Sequence, residues 1–124
     1  MKDNRPKNLD FSTFHLPLPA ITSFLHRVSG LFIFAGVAVL LWLLNESLAS
    51  EQGFNNVATW MDNLIVKLLV WAVVSGLLYH FIAGIKHLIM DFGIGETLEG
   101  AQLGAKLVIV LSAIAIVLTG VWLW

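Results

Sequence analysis

The chain of 124 residues has no cysteine, so it can form neither an internal disulfide nor a metal site built from thiolates. Charged residues are also scarce, at 12% of the sequence, which is about half of the fraction in a typical soluble domain. There is no basic patch of the kind that binds nucleic acid, and the net charge of −1 favours no class of charged partner. What remains informative is the apolar part of the sequence.

Apolar residues make up 58% of the chain and are concentrated in three blocks without formal charge, at residues 28–44, 68–85 and 107–124. In a helix that rises about 1.5 Å per residue, each block is about 26 Å long, close to the thickness of a bilayer core. We therefore predict an all-α membrane protein with a single domain. Its three transmembrane helices are predicted at about residues 19–46, 64–91 and 104–124. Three helices form only a thin bundle, so we expect a second membrane subunit to complete it.

The ends of these helices carry recognisable signals. Pro17 and Pro19 mark the start of the first helix, because proline is favoured in a first turn and disfavoured further inside. Asn45 and Glu46 are expected to end it. Within the connection that follows, residues 54–63 are compatible with a short helix at the membrane interface. The connection between the second and third helices is rich in glycine and acidic residues.

Lysine and arginine are unevenly distributed between the two sides. Cations lie before or at the start of the first span and beside the second connection: Lys2, Arg5, Lys7, Arg27, Lys86 and Lys106. The first connection holds only Lys67, together with three acids. The positive-inside rule then predicts a cytoplasmic N-terminal tail, residues 1–18, and a periplasmic C-terminus in a cell inner membrane.

The five tryptophans agree with this orientation. All of them fall at the predicted outer ends of the helices: Trp42, Trp60, Trp71, Trp122 and Trp124. We interpret them as a one-sided aromatic belt that faces lipid.

His80 lies inside the second apolar block, where lipid offers an imidazole no hydrogen-bonding partner. It is therefore either a functional residue or a histidine that bonds to a hydroxyl or carbonyl of a neighbouring helix. Imidazole is the usual axial ligand of b-type haem. His87 lies about 10 Å further along the same helix face and cannot bind the opposite side of one haem. His26 lies nearer the surface. A six-coordinate haem at His80 would need its second ligand from a partner chain.

Polar and small residues share faces on the first two helices. On the first helix the spacing i, i+3, i+4, i+7 places four residues together: Ser23, His26, Arg27 and Gly30. The corresponding face of the second helix carries Gly76, His80, Ala83, Gly84, His87 and Asp91. Small residues on such a face let another helix or a flat ligand approach closely.

Two motifs on these faces resemble a known family. Residues 23–30, SFLHRVSG, are similar to the pattern S-x-x-H-R-x-S/T. Residues 80–93, HFIAGIKHLIMDFG, are similar to H-x-x-x-G-x-R-H followed by D-x-G. Both are typical of the cytochrome b membrane anchors of succinate dehydrogenase, which is respiratory complex II. Lys86 departs from the pattern, since the family usually has arginine there, and lysine lacks the bidentate fork.

The resemblance implies specific roles for these residues. His80 would be one axial ligand of a haem b, and a histidine of a second anchor subunit would be the other. Ser23 and Arg27 would line a ubiquinone site, and three residues would lie near the haem propionates: His26, Arg27 and His87. Iron–sulfur and flavoprotein subunits would dock on the cytoplasmic side and deliver electrons for ubiquinone in the tricarboxylic acid cycle and respiratory chain.

On this interpretation the chain is a subunit of succinate:ubiquinone oxidoreductase and is not catalytic alone. Two alternatives stay open. The chain could anchor a fumarate reductase that works in the opposite direction, because direction depends on cofactors held by other subunits. It could also be a structural anchor without haem, with His80 bonded to a neighbouring helix.

Overall fold

The structure, a computed structural model, describes residues 4–7 and 9–124, so the predicted role of Lys2 in orientation lies outside it. A short 3₁₀ turn at Phe11–Thr13 precedes four helices: α1, Leu18–Ala49; α2, Glu51–Met61; α3, Leu64–Asp91; and α4, Leu98–Leu123. Three of these, α1, α3 and α4, are long and apolar enough to cross a membrane. The prediction of an all-α fold with three spans is confirmed.

The start of α1 follows the proline signal, but its end differs from the prediction. Pro17 has an extended backbone and Pro19 lies in the first turn, where a missing N–H removes no helical hydrogen bond. The helix continues past Glu46 to Ala49. Polar residues end the membrane-embedded part of a helix without ending the helix itself. The break comes at Ser50, whose extended backbone lets its hydroxyl cap α2 by accepting the Gly53 N–H at 2.9 Å.

The last helix begins six residues before the predicted start at residue 104, at Leu98. The Thr97 hydroxyl accepts the Gly100 N–H at 3.1 Å and so caps the new first turn. Glu99 lies in that turn, where its negative charge suits the helix dipole. The connection shrinks to residues 92–97. Gly93 and Gly95 turn the chain there with φ values of 80° and 74°, which favour glycine.

Small residues bring α1 and α3 together. A Cβ atom added at Gly36 would lie 2.7 Å from Cγ1 of Val73, and one added at Gly76 would lie 2.9 Å from Cδ1 of Phe32. Val73 is only 2% exposed. Without a hydrophobic driving force in lipid, close backbone approach of this kind supplies the packing between membrane helices.

Aromatic contacts join the helices at the opposite end from the histidines. The Trp42 and Trp60 rings stack at 5.3 Å, which ties α2 to α1. The Trp71 indole N–H donates to the carbonyl of Ile116 at 3.0 Å and ties α3 to α4. Trp71 therefore departs from the prediction that the tryptophans face lipid, because its indole N–H forms a hydrogen bond within the chain.

We expect Gly36→Leu to weaken the α1–α3 contact, because the new side chain would overlap Val73 and force the helices apart. Overpacking of this kind costs about 1–3 kcal/mol. Thermal denaturation of the purified protein in detergent measures the loss. Ala38→Leu, on an exposed position of the same helix, is the matched control. Equal melting temperatures for the two variants would contradict the importance of this contact.

Candidate functional site

Three histidines from two helices form one cluster at the N-terminal end of α1. The His26 ring of α1 stacks on the His80 ring of α3, with 4.1 Å between centroids and 15° between planes. The His87 ring, also on α3, lies 4.9 Å from the His26 ring and is tilted by 45°. His26 is thus in contact with both α3 histidines. We call these three residues the histidine cluster.

The backbone and hydroxyl of α1 hold His80 by its Nδ1 atom. Nδ1 lies 3.1 Å from the carbonyl oxygen of His26 and 3.0 Å from Oγ of Ser29. The Ser29 hydroxyl donates its single proton to the same carbonyl, at 2.7 Å. Because the carbonyl can only accept and the hydroxyl proton is already used, both neighbours act as acceptors for Nδ1. This assigns the proton of the neutral ring to Nδ1.

That tautomer leaves a lone pair on Nε2 of His80. Among the described residues, no hydrogen bond satisfies this atom. Nε2 with a free lone pair is the form in which a neutral imidazole binds a metal.

Two local features let His80 approach α1. A hydroxyl bond to the carbonyl three residues earlier is a common arrangement for serine inside a helix, and it sets Ser29 beside the His26 carbonyl. Gly30 supplies the space, because a Cβ atom there would lie 3.1 Å from Cε1 of His80. The motif around His26 thus contains both the acceptor and the gap that His80 needs.

His26 carries an unsatisfied polar atom. Its Nε2 is buried and has no hydrogen-bonding partner among the described residues. A Cβ atom added at Gly84 would come within 3.6 Å of it. Most buried polar atoms are hydrogen-bonded, and an unpaired one costs about 1–3 kcal/mol. The atom is therefore a position at which a ligand or another chain would stabilise the protein.

Ser23 and Arg27 lie one turn apart on α1, at the same end as the histidine cluster. Ser23 is half-buried and Arg27 is exposed. Neither side chain takes part in a hydrogen bond or ion pair within the described part of the chain. The structure thus leaves a hydroxyl and a cation available beside the cluster, and no described contact joins them to His80.

Lys86 is directed to a different surface. Its aliphatic carbons pack beside Gly104 of α4, with Cε 3.3 Å from the position of an added Cβ. There it lines an apolar groove of about 390 Å³ between α3 and α4. Lys86, where the second motif departs from the pattern that it resembles, therefore lies on the α4 side of α3, and the histidines lie on the α1 side.

Sequence reasoning alone did not single out Ser29 or Tyr79. The Tyr79 hydroxyl donates to the carbonyl of Thr22 at 2.7 Å and adds a second polar link between α3 and α1. The position of each residue in the sequence nevertheless contains a signal. Ser29 is the serine or threonine position that closes the first motif, and Tyr79 is the neighbour of His80. What the pattern could not show is which carbonyls the folded helices bring within reach.

Metal-ligand geometry is incomplete within this chain. In the described ranges, no three His, Cys, Asp or Glu side chains are placed to hold one metal ion. The fold and the site together define a multi-pass helical membrane protein whose intramembrane histidine is held at one nitrogen and open at the other.

Comparison with known proteins places this architecture in a family. Residues 1–119 match the family described as succinate dehydrogenase/fumarate reductase transmembrane subunit. The succinate dehydrogenase cytochrome b556 subunit of Coxiella burnetii is 42% identical over 100% of both chains. The subunit of the same name from Paracoccus denitrificans is 33% identical, over 95% of this chain and 91% of its own.

A mitochondrial protein is also similar. The succinate dehydrogenase cytochrome b560 subunit of Bos taurus is 29% identical over 90% of this chain and 68% of its own length. The chain belongs to the succinate dehydrogenase/fumarate reductase transmembrane subunit family, as a cytochrome b subunit of the succinate dehydrogenase type. The resemblance to this family, which we inferred from the two motifs, is confirmed.

Proposed function

We propose that this chain is the haem b-binding membrane anchor of a succinate dehydrogenase, and that it helps to form the site at which ubiquinone is reduced. One observation carries the proposal: His80 is held at Nδ1 by α1 and presents Nε2 with a free lone pair. The curated relatives are named as cytochrome b subunits of succinate dehydrogenase, which supports haem b as the group that His80 serves.

The residues around His80 fit a haem. Nδ1 donates to a carbonyl and a hydroxyl, which is the arrangement that fixes the ring of a metal-binding histidine. The buried Nε2 of His26 lacks a partner in the part of the chain that the structure describes, and a propionate carboxylate would satisfy it. His87 and Arg27 extend this polar end of the site, so we assign all three to the propionates.

Of the residues in the histidine cluster, we assign only His80 to the iron. His87 shares the α3 face with His80, and His26 covers one face of the His80 ring. We therefore propose that the opposite axial histidine comes from a second membrane-anchor subunit. Large apolar side chains on the helix surfaces are exposed, among them Leu31 at 77% and Phe34 at 84%. Such surfaces suit lipid and a partner helix.

Ser23 and Arg27 are proposed to bind the quinone. Reduction places negative charge on a quinone carbonyl oxygen, and a cation with a neighbouring hydroxyl donor stabilises that charge. Neither side chain is engaged elsewhere in the described structure. When bound, the haem would take up and release one electron at a time beside this site. The chain itself would hold the quinone and would not bind succinate.

The partners and orientation follow from the same assignment. Iron–sulfur and flavoprotein subunits would dock at the cytoplasmic face, beside Ser23 and Arg27, and supply the electrons. The chain would lie in the cell inner membrane as one domain, with residues 1–18 in the cytoplasm and the C-terminus in the periplasm. The charge distribution of the sequence supports this orientation.

A structural anchor without haem is the competing interpretation, and one contact favours it. Nδ1 of His80 already has partners on α1, which would satisfy a histidine that only links helices. That interpretation assigns neither a ligand nor a hydrogen-bonding partner to Nε2 of His80 or of His26. A fumarate reductase anchor would use the same residues, and the names of the curated relatives favour succinate dehydrogenase.

We expect the purified complex to show the spectrum of a six-coordinate, low-spin haem, and His80→Ala to abolish that signal or the haem itself. The reason is that the variant removes the Nε2 lone pair that the proposal assigns to the iron. Absorption spectra of the oxidised and reduced complex measure the effect. His15→Ala, in the exposed tail, is the control. Unchanged spectra in the His80 variant would rule out His80 as the ligand, and a wild-type complex without haem would favour the structural anchor.

We expect Arg27→Ala to lower quinone reductase activity by on the order of 100-fold, because it removes the charge that stabilises the reduced oxygen. Ser23→Ala should have a smaller effect in the same direction. Succinate oxidation by an artificial dye should persist in both, since it does not use this site. Lys106→Ala removes an exposed cation of α4 and serves as control. If dye and quinone activities fall together, the variants have disturbed assembly and the quinone assignment loses its support.

The absence of cysteine allows a direct test of orientation. Single variants Ser12→Cys in the tail and Asn55→Cys on α2 place a thiol at exposed positions on opposite sides of the proposed topology. A membrane-impermeant thiol reagent added to spheroplasts should label Asn55→Cys at once and Ser12→Cys only after lysis. The reverse pattern would invert the topology.

A further inference from the structure

We propose that Ser29 is a positioning residue for the haem ligand: its hydroxyl, a second acceptor beside the His26 carbonyl, fixes the rotation of the His80 ring. Through that ring it would set how firmly the haem is held and at what potential it is reduced. The inference rests on the proposed function, because it concerns the same histidine, and it adds a residue to which that function assigns no role.

The geometry is a closed triangle of hydrogen bonds. Ser29 Oγ lies 3.0 Å from His80 Nδ1 and 2.7 Å from the His26 carbonyl oxygen, and that oxygen lies 3.1 Å from Nδ1. Ser29 is 9% exposed, so little competition from solvent is expected. Each group in the triangle has a defined role: Nδ1 donates, the carbonyl accepts, and the hydroxyl donates to the carbonyl while it accepts from Nδ1. No other side chain among the described residues hydrogen-bonds to His80.

Ser29 provides the one acceptor in this arrangement that a substitution can remove. The His26 carbonyl belongs to the backbone, and the stacked His26 ring and Gly30 limit His80 only by contact. A ring with the His26 carbonyl as its single acceptor can still rotate about its Cβ–Cγ bond. A second acceptor at Nδ1 removes that freedom, because two hydrogen bonds from one N–H define the plane of the imidazole.

A chemical consequence follows for the iron ligand. When Nδ1–H is hydrogen-bonded to acceptors, Nε2 becomes a stronger electron donor and favours the more positive, oxidised iron. Loss of the Ser29 acceptor should therefore raise the midpoint potential of the haem. It should also weaken haem retention, by on the order of tenfold, the lower end of the usual effect when a metal-binding histidine loses its outer partner.

The test compares the intact complex carrying Ser29→Ala with the complex carrying Ser112→Ala. Ser112 is the matched control, because it is also a buried membrane serine, at 3% exposure, and its hydroxyl has no described partner. Redox titration of the haem absorption gives the potential, and the haem-to-protein ratio after competition with apomyoglobin gives the retention. We expect a higher potential and about tenfold faster haem loss for Ser29→Ala only.

A second pair of variants keeps the test informative if alanine disturbs assembly. Ser29→Thr retains the hydroxyl and Ser29→Val replaces it with a methyl group of nearly the same shape. We expect wild-type potential and retention for threonine, and the shifted values for valine. Equal potentials and equal retention within this pair, or between Ser29→Ala and Ser112→Ala, would overturn the inference.

The outcome also separates this inference from the proposed function. If His80→Ala removes the low-spin haem and Ser29 variants leave potential and retention unchanged, the haem assignment stands and the role of Ser29 falls. If His80→Ala leaves the haem unchanged, the ligand assignment fails first, and with it the role of Ser29.

Discussion

The hydrogen-bonding requirement of a polar atom in lipid is the constraint on which this structure depends. Lipid offers no hydrogen bond to an imidazole inside a membrane-spanning helix, so the His80 ring needs acceptors on a neighbouring helix. Two of them come from α1, the His26 carbonyl and the Ser29 hydroxyl. They can reach Nδ1 only if the two helices lie close together. The glycines of both helices are therefore part of the same requirement as the histidine, since Gly30 and Gly76 provide the space for that approach.

The helices could be predicted because the amino-acid composition of each apolar run depends directly on the lipid that surrounds it. A run without charge, long enough for the bilayer, has few alternatives to a membrane span. The helix ends were less predictable. The hydropathy of the sequence changes at the edge of the membrane, whereas the helix can continue beyond that edge. The first turn of α4 precedes its apolar block, and its signal is the cap at Thr97 together with Glu99. A capping residue is a weaker sequence signal than a hydrophobic run, although it decides where the helix begins.

The candidate site was predictable as a set of residues and less so as a geometry. Helical spacing placed His26 and His80 on faces that could meet, and the motifs identified both. Spacing along one helix does not reveal the register between two helices, so the stack of His26 on His80 and the role of Ser29 required the folded structure. Lys86 illustrates the same point, because its position in the motif gave no indication that it packs on Gly104 of α4.

The two histidines of α1 and α3 that touch each other end in different states. Among residues 4–7 and 9–124, His80 has its Nδ1 satisfied and its Nε2 open, whereas the Nε2 of His26 is buried and unpaired. A chain that were complete in itself would gain stability by pairing such atoms internally, since an unpaired buried group costs about 1–3 kcal/mol. Retaining the unpaired Nε2 of His26 beside the open Nε2 of His80 becomes favourable when a further group satisfies them. A haem fits this requirement at both ends, because its iron takes a nitrogen lone pair and its propionates take hydrogen bonds from protonated side chains. Under the proposed function, the open nitrogens would be satisfied by a cofactor and a partner protein, and the same lipid constraint that brings α1 and α3 together would explain why this chain leaves them unpaired.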